Sequence, residues 1–176
     1  DAIASLTQLS QKMRGENAPD LADIFEAHQE ILRDDVGFVE PVHSAVIGGQ
    51  NAAAAVDGVL YNIAETFRAL ESVYMRERAA DIEDLRASIV ARILGVPAPG
   101  VTYEGGDCLI AAYDLAPSDT AKLDLRRVAG LITQIGGATG HTAIMARTLG
   151  IPAIVGVPGF NFLRRRGVEK ETNGDD

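Results

Sequence analysis

The sequence predicts an α+β chain in which an antiparallel helical bundle is followed by a small α/β domain. Apolar residues recur three and four positions apart up to Gly95, as in amphipathic helices. From Asp107 onward, short β-rich runs alternate with short helical ones. The intervening Gly95-Val-Pro-Ala-Pro-Gly100 is rich in residues that interrupt both structures. We therefore predict a bundle over 1–95, an α/β domain over 101–163 and a polar tail over 164–176.

Two helices are predicted in the first 37 residues. The first ends at the break Gly15–Pro19, after apolar residues at helical spacing. Asp20 is a candidate cap for the second, and Asp34–Gly37 ends it. Its core side is predicted to be Leu21, Ile24, Phe25, His28, Ile31 and Leu32.

Two longer helices are predicted after a short segment over Phe38–Ile47. Asn51 begins one, and the other runs from about Ser72 to Leu94, where Gly95 stops it. Short breaks between helices favour antiparallel packing. The predicted core stripes are Ala55, Val59, Ile63, Phe67 and Leu70, then Met75, Ala79, Ile82, Leu85, Ile89 and Ile93.

The second half is predicted to be a compact α/β unit. Strands are expected over 107–114, 128–134 and 153–157, with short helices over 118–123 and from His141. Cys108 lies in the first strand and is expected to be a buried thiol.

The stretch Gly136–Gly156, GGATGHTAIMARTLGIPAIVG, places His141 between a glycine-rich turn and an amphipathic helix. Thr139 or Thr142 can cap that helix. Free backbone N–H groups and the positive helix end beside His141 suit an anion, or a side chain that becomes anionic on phosphorylation. The alternative is a buried or capping histidine at a strand–helix turn.

The composition excludes several classes of protein. A formal charge of −9, from 25 acidic and 16 basic residues, argues against nucleic acid or anionic membrane as a partner and favours a basic protein. A single cysteine excludes an internal disulfide and fits a reducing compartment. No run approaches 18 apolar residues and no signal peptide opens the chain, so we expect a cytoplasmic protein.

The stretch around His141 resembles the phosphohistidine motif of phosphoenolpyruvate-utilising enzymes, with Gly140 where that family usually has serine. Ile24–His28, Tyr74–Asp84 and Asp114–Ala121 further resemble Enzyme I, the first protein of the bacterial sugar phosphotransferase system. This resemblance covers almost the whole chain. It implies a helical bundle that docks the carrier protein HPr, joined to an α/β domain that carries the phosphorylated histidine.

The resemblance implies a phosphoryl relay in which the His141 imidazole exchanges phosphate with a histidine of HPr. It also implies that the Thr120 hydroxyl bonds and orients that imidazole. Gly140, Thr142 and Arg147 are predicted phosphate contacts, with a surface ion pair as the alternative for Arg147. The predicted HPr contacts, each with core packing or a solvated face as its alternative, are His28, Ile31, Asp34, Asp35, Tyr74, Met75 and Arg78.

The chain departs from Enzyme I in what surrounds the motif. Nothing in it resembles the phosphoenolpyruvate-binding barrel, so we expect no cofactor here, Mg²⁺ only with that missing domain, and no self-phosphorylation from phosphoenolpyruvate. The expected first and final strands are also missing, which indicates a fragment or a sheet completed in another way. Alternatives are the Enzyme I-like module of the dihydroxyacetone kinase phosphotransfer subunit, a nitrogen-related Enzyme I, a non-catalytic HPr-docking module, or a swivelling domain like that of pyruvate phosphate dikinase.

Overall fold

The computed structural model describes residues 2–98 and 107–158, and the predicted class is confirmed: helices followed by a small sheet. The helical half comprises α1 (Ala2–Gly15), α2 (Pro19–Arg33), a π-helical turn (Asp35–Val39), α3 (Glu40–Ile47), α4 (Ala52–Arg68) and α5 (Val73–Leu94). The second half comprises β1 (Cys108–Ala112), α6 (Pro117–Thr120), a 3₁₀ turn (Leu125–Arg127), β2 (Val128–Thr133), α7 (His141–Leu149) and β3 (Ala153–Ile154). The predicted tail over 164–176 lies outside the described residues.

Local sequence sets most helix ends. The Asn51 side chain accepts from the Ala54 amide at the start of α4, and the Ser72 hydroxyl accepts from the Met75 amide at the start of α5. Gly95 ends α5 in the left-handed region at φ 68°. The prediction that Asp20 caps α2 is wrong, because helix formation already begins at Pro19. The Asp20 carboxylate instead accepts from the Thr148 hydroxyl of α7.

The helices pack in pairs, α1 on α2 and α4 on α5. The core side of α2 is confirmed, although Ile31 is only half-buried. The core stripes predicted for α4 and α5 are partly wrong, because Leu70, Met75 and Ile93 are exposed. The buried face of α4 is instead Ala55, Val56, Leu60 and Ala64.

The described strands form one parallel sheet in the order β1-β2-β3. β3 contributes two residues, fewer than predicted, and pairs only with Leu131 and Ile132 of β2. Cys108 is half-buried and unpaired. Phe38–Ile47, which was predicted as a short segment with no assigned secondary structure, is mostly helical. Pro41 lies in the first turn of α3, where proline is tolerated.

One buried cluster contains side chains of both halves, among them Phe25, Leu85, Leu131 and Met145. The Ser118 hydroxyl and amide donate to Asp84, which joins α5 to α6 at 2.6 and 3.0 Å. These contacts bring the start of α7 against the helical half. The division at residues 95–101 stays a prediction, and residues 99–106 lie outside the described part.

Candidate active site

His141 is the first residue of α7, directly after the glycine-rich turn. Gly136 adopts φ 105°, and the Ile144 amide makes the first intrahelical bond, to the Gly140 carbonyl at 3.1 Å. The amides of residues 141–143 therefore precede that ladder and point out of the helix start. Both predicted threonine caps are wrong, because Gly140 occupies the capping position without any side-chain cap.

The two threonines bond other groups across the site. Thr139 donates its hydroxyl proton to Glu77 of α5, whose carboxylate lies so close to the turn that a Cβ at Gly137 would be 2.5 Å from Glu77 Oε1. The Thr142 hydroxyl donates to the Leu115 carbonyl at 3.1 Å. Hence an acidic side chain of α5 covers the turn on which phosphate binding was predicted.

Both nitrogens of the His141 ring face hydrogen-bond acceptors. Nδ1 lies 3.0 Å from Asp81 Oδ1 on α5, and Nε2 contacts the carbonyl oxygen of Leu115. The side chain is 9% exposed, which leaves water little access to the ring. A neutral imidazole has one N–H, so both contacts are satisfied only when both nitrogens carry protons.

The electrostatics of the pair favour two charged partners. Burial lowers the pKa of His141, but its contacts with the Asp81 carboxylate and the Leu115 carbonyl outweigh burial, and the net pKa is raised. Burial raises the pKa of Asp81, but His141 and Arg78 outweigh it, and the net pKa is lowered. The contact between the two side chains therefore favours the ion pair, a protonated imidazole beside an ionised carboxylate.

Arg78 fixes the other side of the Asp81 carboxylate. Its Nη1 donates to Asp81 Oδ2 at 2.9 Å, while its Nη2 donates to the Tyr74 hydroxyl at 2.8 Å. The guanidinium carbon also lies 4.8 Å from the centre of the Tyr74 ring. Tyr74, Arg78, Asp81 and His141 thus form one connected chain of contacts from the surface of α5 to the start of α7.

A pocket of about 400 Å³ opens beside this chain of contacts. Its lining includes His141 together with five of the seven side chains predicted to contact a carrier protein, namely His28, Ile31, Tyr74, Met75 and Arg78. His28 is 3% exposed, and its Nε2 has no hydrogen-bond partner among the described residues. Burial lowers the pKa of His28 to about 4, so its ring is neutral at pH 7.

Four predicted residues lie elsewhere or bond differently. Asp34 accepts from the Val36 and Gly37 amides in the π-helical turn, and Asp35 is exposed there; neither lines the pocket. Arg147 is exposed in the last turn of α7, about 9 Å along the helix axis from His141. The buried Thr120 hydroxyl donates to the Pro117 carbonyl at 2.7 Å, so its implied bond to His141 is not formed in this structure.

Sequence reasoning missed Asp81, Glu77 and the Leu115 carbonyl as parts of the site. Asp81 carried a local signal, because Tyr74, Arg78 and Asp81 are spaced by four and three and therefore share a helix face. Glu77 and the Leu115 carbonyl carried none, since they reach the site only through packing between α5, α6 and α7. No group of three metal-binding side chains clusters within residues 2–98 and 107–158. No helix in that part of the chain is long and apolar enough to span a membrane.

Comparison with known families places both halves in one enzyme group. Residues 1–78 match the model "PEP-utilising enzyme, N-terminal", and residues 104–172 match "PEP-utilising enzyme, mobile domain". A phosphoenolpyruvate-protein phosphotransferase of Staphylococcus aureus strain COL is 40% identical over 174 residues, covering 97% of this chain and 30% of the relative. One from Staphylococcus epidermidis is 39% identical over 152 residues, covering 86% of this chain and 26% of the relative. The chain thus spans about a quarter to a third of these relatives.

Two solved structures share the fold. A solution structure of the Enzyme I protein nEIt is 34% identical with a TM-score of 0.67, covering 90% of this chain and 64% of that one. A structure described as the N-terminal domain of Enzyme 1 - Nitrogen is 26% identical with a TM-score of 0.57, covering 88% of this chain and 63% of that one.

Proposed function

We propose that this chain, which belongs to the PEP-utilising enzymes, carries a phosphoryl group on His141 and exchanges it with a histidine of an HPr-like phosphocarrier protein. The observation that carries the proposal is the position of His141. The ring lines the same pocket as five side chains predicted to contact a carrier, within reach of a docked protein. The relatives from Staphylococcus are named phosphoenolpyruvate-protein phosphotransferase, which supports the same chemistry.

The ring must leave the Leu115 carbonyl before it can accept phosphate. The contact with that carbonyl engages Nε2, whereas nucleophilic attack needs an unprotonated nitrogen with its lone pair directed at phosphorus. In the transfer, an Nε2–P bond forms while the bond between phosphorus and the donor nitrogen breaks. The outward amides of residues 141–143 can then hydrogen-bond the phosphoryl oxygens, with the positive helix end beside them.

Glu77 is the group that must yield to the phosphoryl oxygens. Its carboxylate lies against the glycine-rich turn and accepts from Thr139, so it would repel a second anion there. Its side chain is flexible, and rotation away from Gly137 opens the turn. In this proposal, Glu77 stabilises the turn before phosphorylation and moves away from it when His141 is phosphorylated.

The source of the phosphate lies outside this chain in our proposal. A phosphoenolpyruvate-binding domain, with its Mg²⁺, would supply His141 in a longer protein. The chain itself would exchange phosphate only with a phosphorylated carrier. Its charge of −9 supports a basic carrier as the partner.

Incubation with a phosphorylated HPr-like carrier tests the proposal. We expect an acid-labile mass increase of one phosphoryl group on the wild-type chain and none on His141→Ala. Phosphoenolpyruvate alone should give no label on either. Label on the alanine variant would place the phosphate elsewhere, and no label on a folded wild-type chain would contradict the relay and leave a docking module.

The nitrogen-related alternative is favoured by one observation, the structural match to the N-terminal domain of Enzyme 1 - Nitrogen. Parallel incubations with phosphorylated carriers of the sugar and nitrogen systems distinguish the two. We expect faster labelling by the sugar-system carrier, in line with the higher identity to the other solved structure, 34% against 26%.

A further inference from the structure

We infer that Asp81 is a positioning residue for this transfer: it holds the proton on His141 Nδ1 throughout the reaction and directs the phosphoryl group to Nε2. The inference rests on the proposed function. It adds a residue that touches neither the phosphate nor the carrier but sets the protonation and orientation of the imidazole. Its evidence is the geometry of the buried pair.

The Asp81 carboxylate is held rigidly in place. It is 4% exposed, with Oδ1 placed 3.0 Å from His141 Nδ1 and Oδ2 bonded to Arg78 at 2.9 Å. Arg78 is in turn bonded to Tyr74. With one oxygen committed to a guanidinium, the other is aimed at the imidazole, and rotation of the carboxylate would break both contacts.

The charged and titratable groups around the ring come from several elements. Asp81 and Arg78 face it from α5, His28 from α2 and Asp114 from the segment between β1 and α6, while Asp84 acts through space. Asp81 alone among these contacts a ring nitrogen in the described part of the chain. Its carboxylate therefore dominates the protonation of Nδ1.

The phosphoryl step balances with the Nδ1 proton in place. The ring first leaves the Leu115 carbonyl and releases its Nε2 proton to solvent. The resulting neutral ring carries its proton on Nδ1 and its lone pair on Nε2. Nε2 attacks phosphorus, the donor P–N bond breaks, and that electron pair stays on the donor nitrogen. The His141 ring gains one positive charge and keeps its Nδ1 proton, which the Asp81 carboxylate stabilises. In the reverse direction, the cationic ring is the better leaving group because its nitrogen departs as neutral imidazole.

The same geometry disfavours phosphate on Nδ1. A phosphoryl group there would replace the proton between the ring and the carboxylate, and it would bring two anions together in a buried site. At Nε2 the ring contacts the uncharged Leu115 carbonyl, and this contact can break before the phosphoryl group binds. Asp81 thus selects the nitrogen by attraction at one position and repulsion at the other.

Nitrogen-15 NMR of the unphosphorylated chain tests the electrostatic part without any transfer. In Asp81→Asn we expect the pKa of His141 to fall by at least about one unit, since an opposite charge at this distance shifts a pKa by one to three. Asp84→Asn is the matched control: the same change three residues along α5, at a carboxylate bonded to Ser118. Equal shifts in the two variants, or no shift in Asp81→Asn, would overturn the inference.

Transfer kinetics test the chemical part. We expect Asp81→Asn to slow phosphoryl transfer from His141 to the carrier at least tenfold and to displace the pH profile downward, with partial rescue in Asp81→Glu. In the phosphorylated wild type, phosphorus–nitrogen coupling should appear at Nε2, with a proton on Nδ1. Unchanged rates and pH profile in a folded Asp81→Asn, or coupling at Nδ1, would overturn it. If the phosphorylated carrier also labels His141→Ala, the proposed relay through His141 is wrong. The NMR titration still tests the contact between Asp81 and His141 in that case, because it does not depend on transfer.

Discussion

At the residue scale, the site holds two histidines whose environments push their pKa values in opposite directions. His141 gains a carboxylate at 3.0 Å and its pKa is raised, whereas burial without a hydrogen bond at Nε2 lowers the pKa of His28 to about 4. Both rings line one pocket. His141 is therefore shifted toward the charged state and His28 toward the neutral state, in line with different roles for the two rings.

His28 makes the folded chain sensitive to mild acid. Its folded pKa lies below the unfolded value of 6.5, so the unfolded chain binds more protons between pH 6.5 and 4, and stability falls as pH drops through that window. The loss across the whole window is on the order of 3 kcal/mol. We expect His28→Leu to flatten this loss, measured by urea unfolding at several pH values.

The other titrating groups of the site act differently from His28. Burial raises the pKa of Asp84, so protonation of that carboxyl stabilises the folded chain as pH falls and offsets part of the loss. The stabilisation from His141, whose folded pKa is raised, is fully present below its unfolded pKa and is lost only as pH rises through the folded value. Asp81, whose pKa is lowered, loses its contribution only below the window. A His28→Leu chain with the same acid sensitivity as wild type would contradict the prediction.

At the element scale, glycines end the helices and shape the turn around His141. Gly95 and Gly150 both adopt φ 68°, and a Cβ at either would meet no atom within 4 Å. Gly156 adopts φ 71°, but a Cβ there would lie 2.9 Å from the Gly136 carbonyl oxygen. The first two positions need glycine only for backbone conformation, whereas Gly156 also needs the space.

Alanine at these positions separates the two requirements. We expect Gly95→Ala and Gly150→Ala each to lower the free energy of unfolding by about 1 kcal/mol, the cost of a left-handed residue with a side chain. Gly156→Ala should cost more, because the obstructing atom is backbone at the start of the glycine-rich turn. Urea unfolding measures all three. Equal costs would show that the Gly136 carbonyl moves aside freely.

The predictable elements are those whose signals are local. Asn51 and Ser72 mark the starts of α4 and α5 because their side chains bond amides three residues on, and Gly95 marks an end through its own backbone. His141 was found in the same way, from a contiguous motif. The local spacing places Asp81 on one helix face with Tyr74 and Arg78, but its contact with His141 crosses 60 residues of sequence, and no local pattern encodes the packing of α5 against α7. β3 was predicted too long for a similar reason: its pairing depends on β2.

At the scale of the whole molecule, the chain has 25 acidic and 16 basic residues. This excess of negative charge creates an electrostatic field that acts on a partner before any contact forms. Such a field attracts a basic carrier and speeds encounter, and salt screens it. Five predicted carrier contacts share the pocket with His141, whereas the exposed Asp35 lies outside it, in the π-helical turn that follows α2. Asp35 can therefore steer a carrier without touching the reacting ring.

The association rate with an HPr-like carrier should fall at least about tenfold between roughly 0.05 and 0.5 M salt, because screening removes the steering. Asp35→Asn should lower both that rate and its salt dependence, while Asp107→Asn, the same change at another exposed carboxylate, should alter them less. Stopped-flow association measures both variants. Asp35 suits this comparison better than Asp34, whose carboxylate accepts two backbone amides and so also supports the fold. Equal effects would assign the steering to net charge alone and remove Asp35 from the docking surface, whereas a rate independent of salt would contradict electrostatic recognition of the carrier altogether.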